Sequence, residues 1–415
     1  MPTVTVLGAH GQIESLAYDN NASAALAAHL AAAITAGVNA GTLRPAVDTD
    51  GPPPALAAGT HGEFVQTQDG LTLLPAGYTA YVDTAANAEV FGSGASGESV
   101  LAGAGNLTFV ASAGSGTIAG GGGADRILIG ATDAGKWNVT LGNGDDTVFA
   151  LGNGNDSIAA GGGSNQIVLG SGKDVITSTG RDSIVAGSGP TTIDASGAQS
   201  DVVQDGSGKM VFLGGAGGAT ILGGTGAETF LGGSGTSVVH GGTDGGNLLI
   251  AGSGLATLFG GGTGDQLYAG GDQNQMLVAG SGSETLNAAL SGGNDTLTAG
   301  SGSDTMVGGT GKDIFEFAKG TAGGHDLVMN FTAGDQISLV GYGADAISKA
   351  LASQTVQDGS VTITLADHTQ VTFSGLTSLS ASDFVGGSSS GGHGGGEGNG
   401  GDPHHHGFGG GFGHG

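Results

Sequence analysis

Between residues 91 and 315 the chain returns every nine residues to one short pattern of glycine, aspartate and a large apolar residue. The segments 151–159 (LGNGNDSIA), 169–177 (LGSGKDVIT), 299–307 (AGSGSDTMV) and 308–316 (GGTGKDIFE) approach the nonapeptide G-G-x-G-x-D-x-U-x, in which U is apolar. The apolar position keeps step best. Phe91, Val100, Phe109, Ile118 and Ile127 lie nine apart, and so do Phe212, Ile221, Phe230, Val239 and Leu248. After one extra residue, Leu258, Leu267 and Met276 resume the step. No isolated amphipathic element holds a register over such a length, whereas a solenoid must, because every coil stacks on the next. The expected fold is all-β, a parallel β-roll or β-solenoid of nonapeptide repeats, with a short N-terminal helix and a C-terminal β-rich cap.

Each unit has a simple physical reading. Its glycines permit the positive-φ backbone of a tight turn, and the three residues around U form a short strand. Two units make one flattened coil of 18 residues, so units n and n+2 stack on the same side at about 4.8 Å. The register slips at 131–138 (ATDAGKWN), which holds Trp137, and at 195–200, both read as bulges or loops.

The flanks divide by composition. Residues 1–45 read as an N-terminal helical segment, a packing or capping helix over 21–36 with Leu26, Leu30 and Ile34 on one face and Gly37 at its end. Residues 46–88 read as linker and strand-rich N-cap: 48–58 (DTDGPPPALAA) is a linker by its prolines, and 63–84 alternates around the turn Pro75-Ala76-Gly77. The solenoid is assigned to 89–318. In 319–386 glycine thins out, and 325–339 and 360–373 alternate as antiparallel strands closing the open end. Residues 387–415 form a Gly/His-rich tail whose low complexity points to disorder, with His404, His405 and His406 read as part of that solvated tail.

Composition narrows the partners. Glycine accounts for 92 of 415 residues without a three-residue period, which excludes collagen. A formal charge of −27 with nine Lys and Arg argues against nucleic acid and anionic membranes, and for a cation. Cysteine is absent, so disulfides and thiolate metal sites are too. The start, MPTVTVLGAH, lacks the basic and apolar blocks of a cleavable leader. The alanine-rich stretch 24–38 reads as too short to span a membrane, so the expectation is a soluble chain without a transmembrane segment.

Aspartate at the sixth repeat position carries the chemistry. Turn carbonyls and carboxylates together supply the hard oxygen shell that Ca²⁺ takes, at six to eight ligands. A spacing of 18 brings two such carboxylates together on neighbouring coils, and Asp156/Asp174 and Asp295/Asp313 meet it. Asp146, Asn165 and Asp182 fall on the opposite side of the first cluster, and Glu284 and Asp304 do likewise for the second. Two carboxylates so placed repel by roughly 3–4 kcal/mol at an effective dielectric near 20, and a bridging divalent cation reverses that sign. Asp is also common in turns because it hydrogen-bonds locally, but an isolated turn residue has no reason to recur at the coil length. The middle differs, with Ala219, Ser237, Ala256 or Asn274 at the sixth position on one side and Glu228, Asn247 and Asp265 on the other. The coils before Asp125 lack the aspartate. Calcium is therefore expected in two clusters, near 142–182 and 284–316, with few or no ions between.

At these repeats the chain resembles the RTX (repeats-in-toxin, hemolysin-type calcium-binding) family, well over roughly half its length and with degenerate copies elsewhere. The resemblance implies calcium held between neighbouring coils by Asp146, Asp156, Asp174, Asp182, Asp295, Asp304 and Asp313. The segment 313–339, ending NFTAGDQISL, looks like the β-rich region that follows such repeats, with Asn330 where that motif usually has Asp. The segment 379–384 (LSASDF) resembles the family's usual ending, which implies export by a type I secretion apparatus. The functional expectation is a secreted, extracellular or cell-surface calcium-binding β-solenoid, non-enzymatic, with a structural, matrix or adhesive role. Self-association and contact with a cell surface or polysaccharide are compatible with it. The alternatives are a self-assembling surface-layer or fibre protein and an RTX-bearing secreted enzyme. Against the enzyme stand the absence of an H-E-x-x-H motif and the mere 90 or so residues before the repeats.

Overall fold

A computed structural model describes residues 1–111 and 113–386. Strands of three to seven residues alternate with glycine turns, and between residues 61 and 340 strands two apart in the chain pair in parallel. The result is a parallel β-solenoid with two sheets back to back. The front sheet has 15 strands, from Gly70–Leu73 to Gln336–Val340. The back sheet runs from Leu43–Val47 through His61–Gln66 and Tyr78–Asp83 to His325–Met329. Pairing follows the coil length read from the sequence: Ile158 lies beside Ile176, and Ile127 beside Phe109.

Between the sheets runs one continuous apolar column, including Phe109, Ile127, Val148, Ile167, Phe212, Phe230, Leu258, Leu286 and Phe315, all buried. The nine-residue step does not place every member of it. Phe91 faces outward at 37% exposure, and Val90 is the buried residue. Leu249 and Leu277, both fully buried, likewise replace Leu248 and Met276. Turn length varies by a residue from coil to coil, and alternation within a strand then reverses which neighbour points inward.

Of the expected loops, 131–136 and 196–199 lie between strands, whereas Trp137 and Asn138 open the strand Trp137–Thr140, and Ala195 and Ser200 belong to the strands Thr191–Ala195 and Ser200–Gln204. The first of them folds Trp137 into the core, where its indole N–H donates to the Asp133 carboxylate at 3.0 Å.

Helix α1 spans Asn21–Asn39, and the Asn20 side chain caps it by accepting the Ser23 N–H at 2.8 Å. Gly37 does not end it. Its bare Cα instead admits the Leu43 side chain, and the helix stops at Ala40 before Gly41, whose φ is +69°. Ala24, Ala27, Leu30, Ala31 and Ile34 pack with Val4, Val6 and Leu16 of the hairpin Thr3–Leu7/Ile13–Ala17 against Val65, Val82, Leu101 and Ala119 on the outer face of the back sheet. Among the described residues α1 is the helix long and apolar enough to cross a membrane, at mean hydropathy 1.3. Here that apolar face is packed on protein.

Both flanks are more solenoidal than their composition suggests. Parallel pairing begins at Leu43–Val47, so most of 46–88 forms the first coils and only the proline-rich stretch 51–60 is a loop. At the other end His325–Met329 and Gln336–Val340 pair in parallel with the preceding coils, contrary to the antiparallel expectation for 325–339. Antiparallel pairing at this end is confined to Thr355–Gln357, Ser360–Thr364 and Gln370–Phe373, which with helix α2 (Ala346–Ala352) close the solenoid. There Phe384 is buried and the Val385 N–H donates to Ile337 O at 2.9 Å. The Gly/His-rich tail read at 387–415 lies outside the described residues.

Candidate metal centre

Close stacking of the turns determines where the acidic side chains sit. A Cβ added at Gly172 would overlap the Gly154 carbonyl oxygen, and one at Gly311 would overlap that of Gly293. Only glycine lets consecutive turns nest so tightly, with carbonyl oxygens aimed along the stack. The residue that closes each turn stands at the foot of the next strand with its side chain buried. Two columns result, one where the chain passes from back to front sheet (the first edge) and one where it returns (the second edge).

On the first edge stand Asp125, Asp146, Asn165, Asp182 and Asp201, all 1–3% exposed. Each gives one side-chain oxygen to the backbone N–H of the coil before it. Asp125 N–H donates to Asp146 Oδ1 at 2.7 Å, Asp146 to Asn165 at 2.9 Å, Asn165 to Asp182 at 3.3 Å and Asp182 to Asp201 at 3.2 Å. The column is neutral at Ala219, Ser237 and Ala256, then resumes: Gln275 N–H donates to Asp295, Asp295 to Asp313 and Asp313 to Asp335, at 2.7–2.9 Å. On the second edge Trp137 N–H donates to Asp156 at 2.8 Å and Asp156 to Asp174 at 2.9 Å. Further along, Glu228 donates to Asn247 and Asn247 to Asp265, both at 2.8 Å, and Glu284 to Asp304 and Asp304 to Asp326, both at 2.9 Å.

Every pairing expected from spacing is thus brought together, on the sides expected. Several members of the columns were not foreseen: Asp125, Asp201, Asp326 and Asp335 extend the clusters, each at a step of 19 to 22 from its neighbour. Their signal was the pattern of an Asp just before an apolar strand, without the fixed spacing. Gln275, not Asn274, closes its turn, because that turn carries an extra residue. The centre is also less neutral than expected, since Glu228, Asn247 and Asp265 run on into Glu284 and Asp304 along the second edge. Asn330 is no gap either. It takes φ +56° in the turn, and Asp335 supplies the carboxylate of that coil. Asn165 has both ends of its amide engaged, accepting from Asp146 N–H and donating to Asp182 Oδ1 at 2.8 Å, so it serves its column as a neutral link.

These carboxylates are buried without positive partners. The ion pairs among the described residues, His10–Asp50 and Lys349–Asp345, lie on the surface away from both columns. Burial pushes the Asp146 and Glu284 carboxyls up to about 7, with neighbouring carboxylates adding to the rise. It pushes Asp156 and Asp201 up to about 6 and Asp326 up to about 7. Asp125 is raised well above the usual carboxylate range, again chiefly by burial.

The second oxygen of each carboxylate separates two kinds of site. Asp265, Asp304, Asp313 and Asp335 give it to a turn N–H at 2.6–2.8 Å, and Glu228 Oε2 accepts from Gly242 N–H. The Oδ2 atoms of Asp125, Asp146, Asp182, Asp201, Asp295 and Asp326 are buried with no hydrogen-bond partner. A buried carboxylate oxygen without a partner is costly, and hard oxygens of this kind are what a divalent cation takes. The residues therefore fit a calcium ion. No three His, Asp or Glu side chains among the described residues converge on one point. A cation held here must draw on carboxylates of successive coils together with the turn carbonyls.

Four stretches, 95–131, 140–176, 222–244 and 278–315, match the RTX calcium-binding nonapeptide repeat, together about a third of the chain. The first and third lie in coils that the placement of aspartate alone had set aside. No curated protein matches the chain.

Proposed function

We propose that this chain, built on RTX calcium-binding nonapeptide repeats, is a secreted, calcium-stabilised β-solenoid whose role is structural, matrix-forming or adhesive. The observation that carries the reading is the first-edge column Asp125, Asp146, Asp182 and Asp201, each with a buried, unpartnered carboxylate oxygen. A column of like charges without bases opposes its own folding until a cation joins it. In that design calcium is part of the fold, as metal is in other domains where binding and folding are coupled. A low-calcium interior keeps the chain loose, and a calcium-rich exterior closes it.

The reading is of a protein without catalytic activity. Its support is that the buried acidic groups of both edges are committed to the backbone of neighbouring coils and do not converge on a cleft. A screen on casein, lipid esters and acidic polysaccharides should show no turnover. Activity abolished by one substitution among residues 1–90 would overturn that part.

Export by a type I apparatus is proposed from the C-terminal segment 379–384 and the repeats. Fusing 319–415 to a passenger should export it from cells carrying such an exporter, and fusing 1–88 should not. Self-assembly is a second reading, favoured by the outer face of the front sheet between residues 202 and 276, where Val202, Leu222, Val238 and Met276 are exposed on consecutive or nearby coils. Light scattering with calcium would reveal it as concentration-dependent growth.

The central test is circular dichroism and hydrodynamic size in chelator and in millimolar Ca²⁺. Calcium should produce compaction and β-structure. Identical spectra and size under both conditions would sink the calcium role.

A further inference from the structure

The first-edge column ends beneath a residue from outside the repeats. Tyr18, in the link between the N-terminal hairpin and α1, is fully buried, and its hydroxyl has no hydrogen-bond partner. Asp83, at the end of the strand Tyr78–Asp83, is also buried. Its Oδ1 accepts from Ala85 N–H at 2.8 Å, while Oδ2 has no partner. Asp125 gives Oδ1 to Leu107 N–H at 2.9 Å, and its Oδ2 is likewise unpartnered. After burial, the largest influences on the Tyr18 phenol are the charges of Asp125 and then Asp83, both raising its pKa. The turns that carry the two carboxylates stack in order, with Gly103 N–H donating to Asp83 O at 3.0 Å and an added Cβ at Gly121 overlapping Gly103 O. Tyr18 packs in one buried cluster with Val82, Leu101 and Ala119 at the ends of the same strands, and none of the three oxygens has a hydrogen-bond partner.

The chain around Tyr18 is seated on the same edge. Asn143 N–H donates to both Asp19 carboxylate oxygens at 3.0 and 3.1 Å, and Asn143 Nδ2 donates to Asp19 O at 3.2 Å. Asn20 Nδ2 and Ser23 Oγ donate to Leu141 O at 3.0 and 3.1 Å. The chain at Tyr18 is therefore held in place by the segment that follows it. The coil between Asp83 and Asp125 closes its turn with Leu107 and supplies no carboxylate of its own.

We propose that Tyr18 Oη, Asp83 Oδ2 and Asp125 Oδ2 form a divalent-cation site that latches the N-terminal helical segment onto the solenoid. The donors are all oxygens, which selects a hard cation, and two buried carboxylates call for two positive charges. Calcium is the cation inferred, and that identity rests on the proposed function above. The site differs from a turn-to-turn site because two of its donors come from outside the nonapeptide turns, and it ties together parts of the chain more than a hundred residues apart. Its consequence is order of assembly: α1 closes over the back sheet only when the first coils have taken up their ion.

The test is hydrogen exchange on the full chain titrated with CaCl₂, comparing wild type with Tyr18→Phe and Asp83→Asn. Neither substitution touches the columns from Asp146 onward. In the wild type, calcium at about ten times its Kd should slow exchange in α1 about tenfold, by linkage. Both variants should lose that response in α1 while keeping the calcium response at 146–182. If Tyr18 served only as a hydrogen-bond donor, Tyr18→Phe would speed exchange in α1 equally in chelator and in calcium, and the latch would be refuted. An α1 response unchanged in both variants would refute it as well. A chain with no calcium response even at 146–182 would instead refute the proposed function, and the latch with it.

Discussion

Asp156 N–H donates to the carboxylate of Asp174, one coil further on, at 2.9 Å. The same bond recurs between Asp295 and Asp313 at 2.9 Å. The side chain that carries the charge thus also fixes the stacking of the turn before it. Protonation, substitution or a bound cation at one coil must then be felt by its neighbour.

Substituting Asp146 by Asn should have opposite effects with and without calcium. Asn keeps an oxygen for the Asp125 N–H and removes a buried charge whose carboxyl burial pushes up to about 7. In chelator at pH 8 the variant should be more stable than wild type, by on the order of 2–4 kcal/mol. In millimolar calcium it should be less stable, having lost a charged ligand. Urea midpoints in the two buffers decide it, and a destabilised variant in chelator would contradict the burial argument.

The pH dependence without calcium should run opposite to ordinary acid denaturation. Carboxyls raised to about 6 or 7, as at Asp146, Asp156, Asp201, Glu284 and Asp326, bind protons in the folded chain that the unfolded chain, with values near 4, has released. The slope of unfolding free energy with pH is then negative between about 4 and 7. Stability in chelator should be fully present below pH 4 and fall as pH rises through 7. Calcium, which competes with those protons, should flatten or invert the slope. Urea melts from pH 4 to 8 with and without calcium measure both.

Alanine at Gly172 should disturb its coil, because the new Cβ overlaps the Gly154 carbonyl. A cost of about 1–3 kcal/mol is expected from overpacking. Gly130, which has nothing within 4 Å of an added Cβ, is the matched control and should tolerate alanine.

Leu249→Ala and Leu248→Ala separate the true register from the nine-residue count. Leu249 is fully buried and Leu248 is not. Thermal or urea melts should show a loss of about 2–5 kcal/mol for Leu249 and under about 1 kcal/mol for Leu248. Equal losses would mean that the strand faces both ways.

What the sequence determined by itself was whatever depends on repetition. A nine-residue period with glycine turns has one economical solution, two strands per coil with like residues stacked, and so the solenoid, the inward column and the pairing of Asp156 with Asp174 or Asp295 with Asp313 follow from spacing. What only the tertiary structure decided was whatever depends on the length of individual turns and on chain that carries no repeat. An added turn residue moved the buried position from Leu248 to Leu249 and the turn-closing position from Asn274 to Gln275, because alternation in a strand converts a one-residue slip into a change of face. The coils formed by 46–88 and 325–340 lack the glycine pattern and join the stack through backbone pairing, which side-chain identity scarcely encodes. The burial of Tyr18 over the coils of Asp83 and Asp125 has no sequence signature at all, since it arises when the N-terminal segment folds back over coils that the chain builds only later.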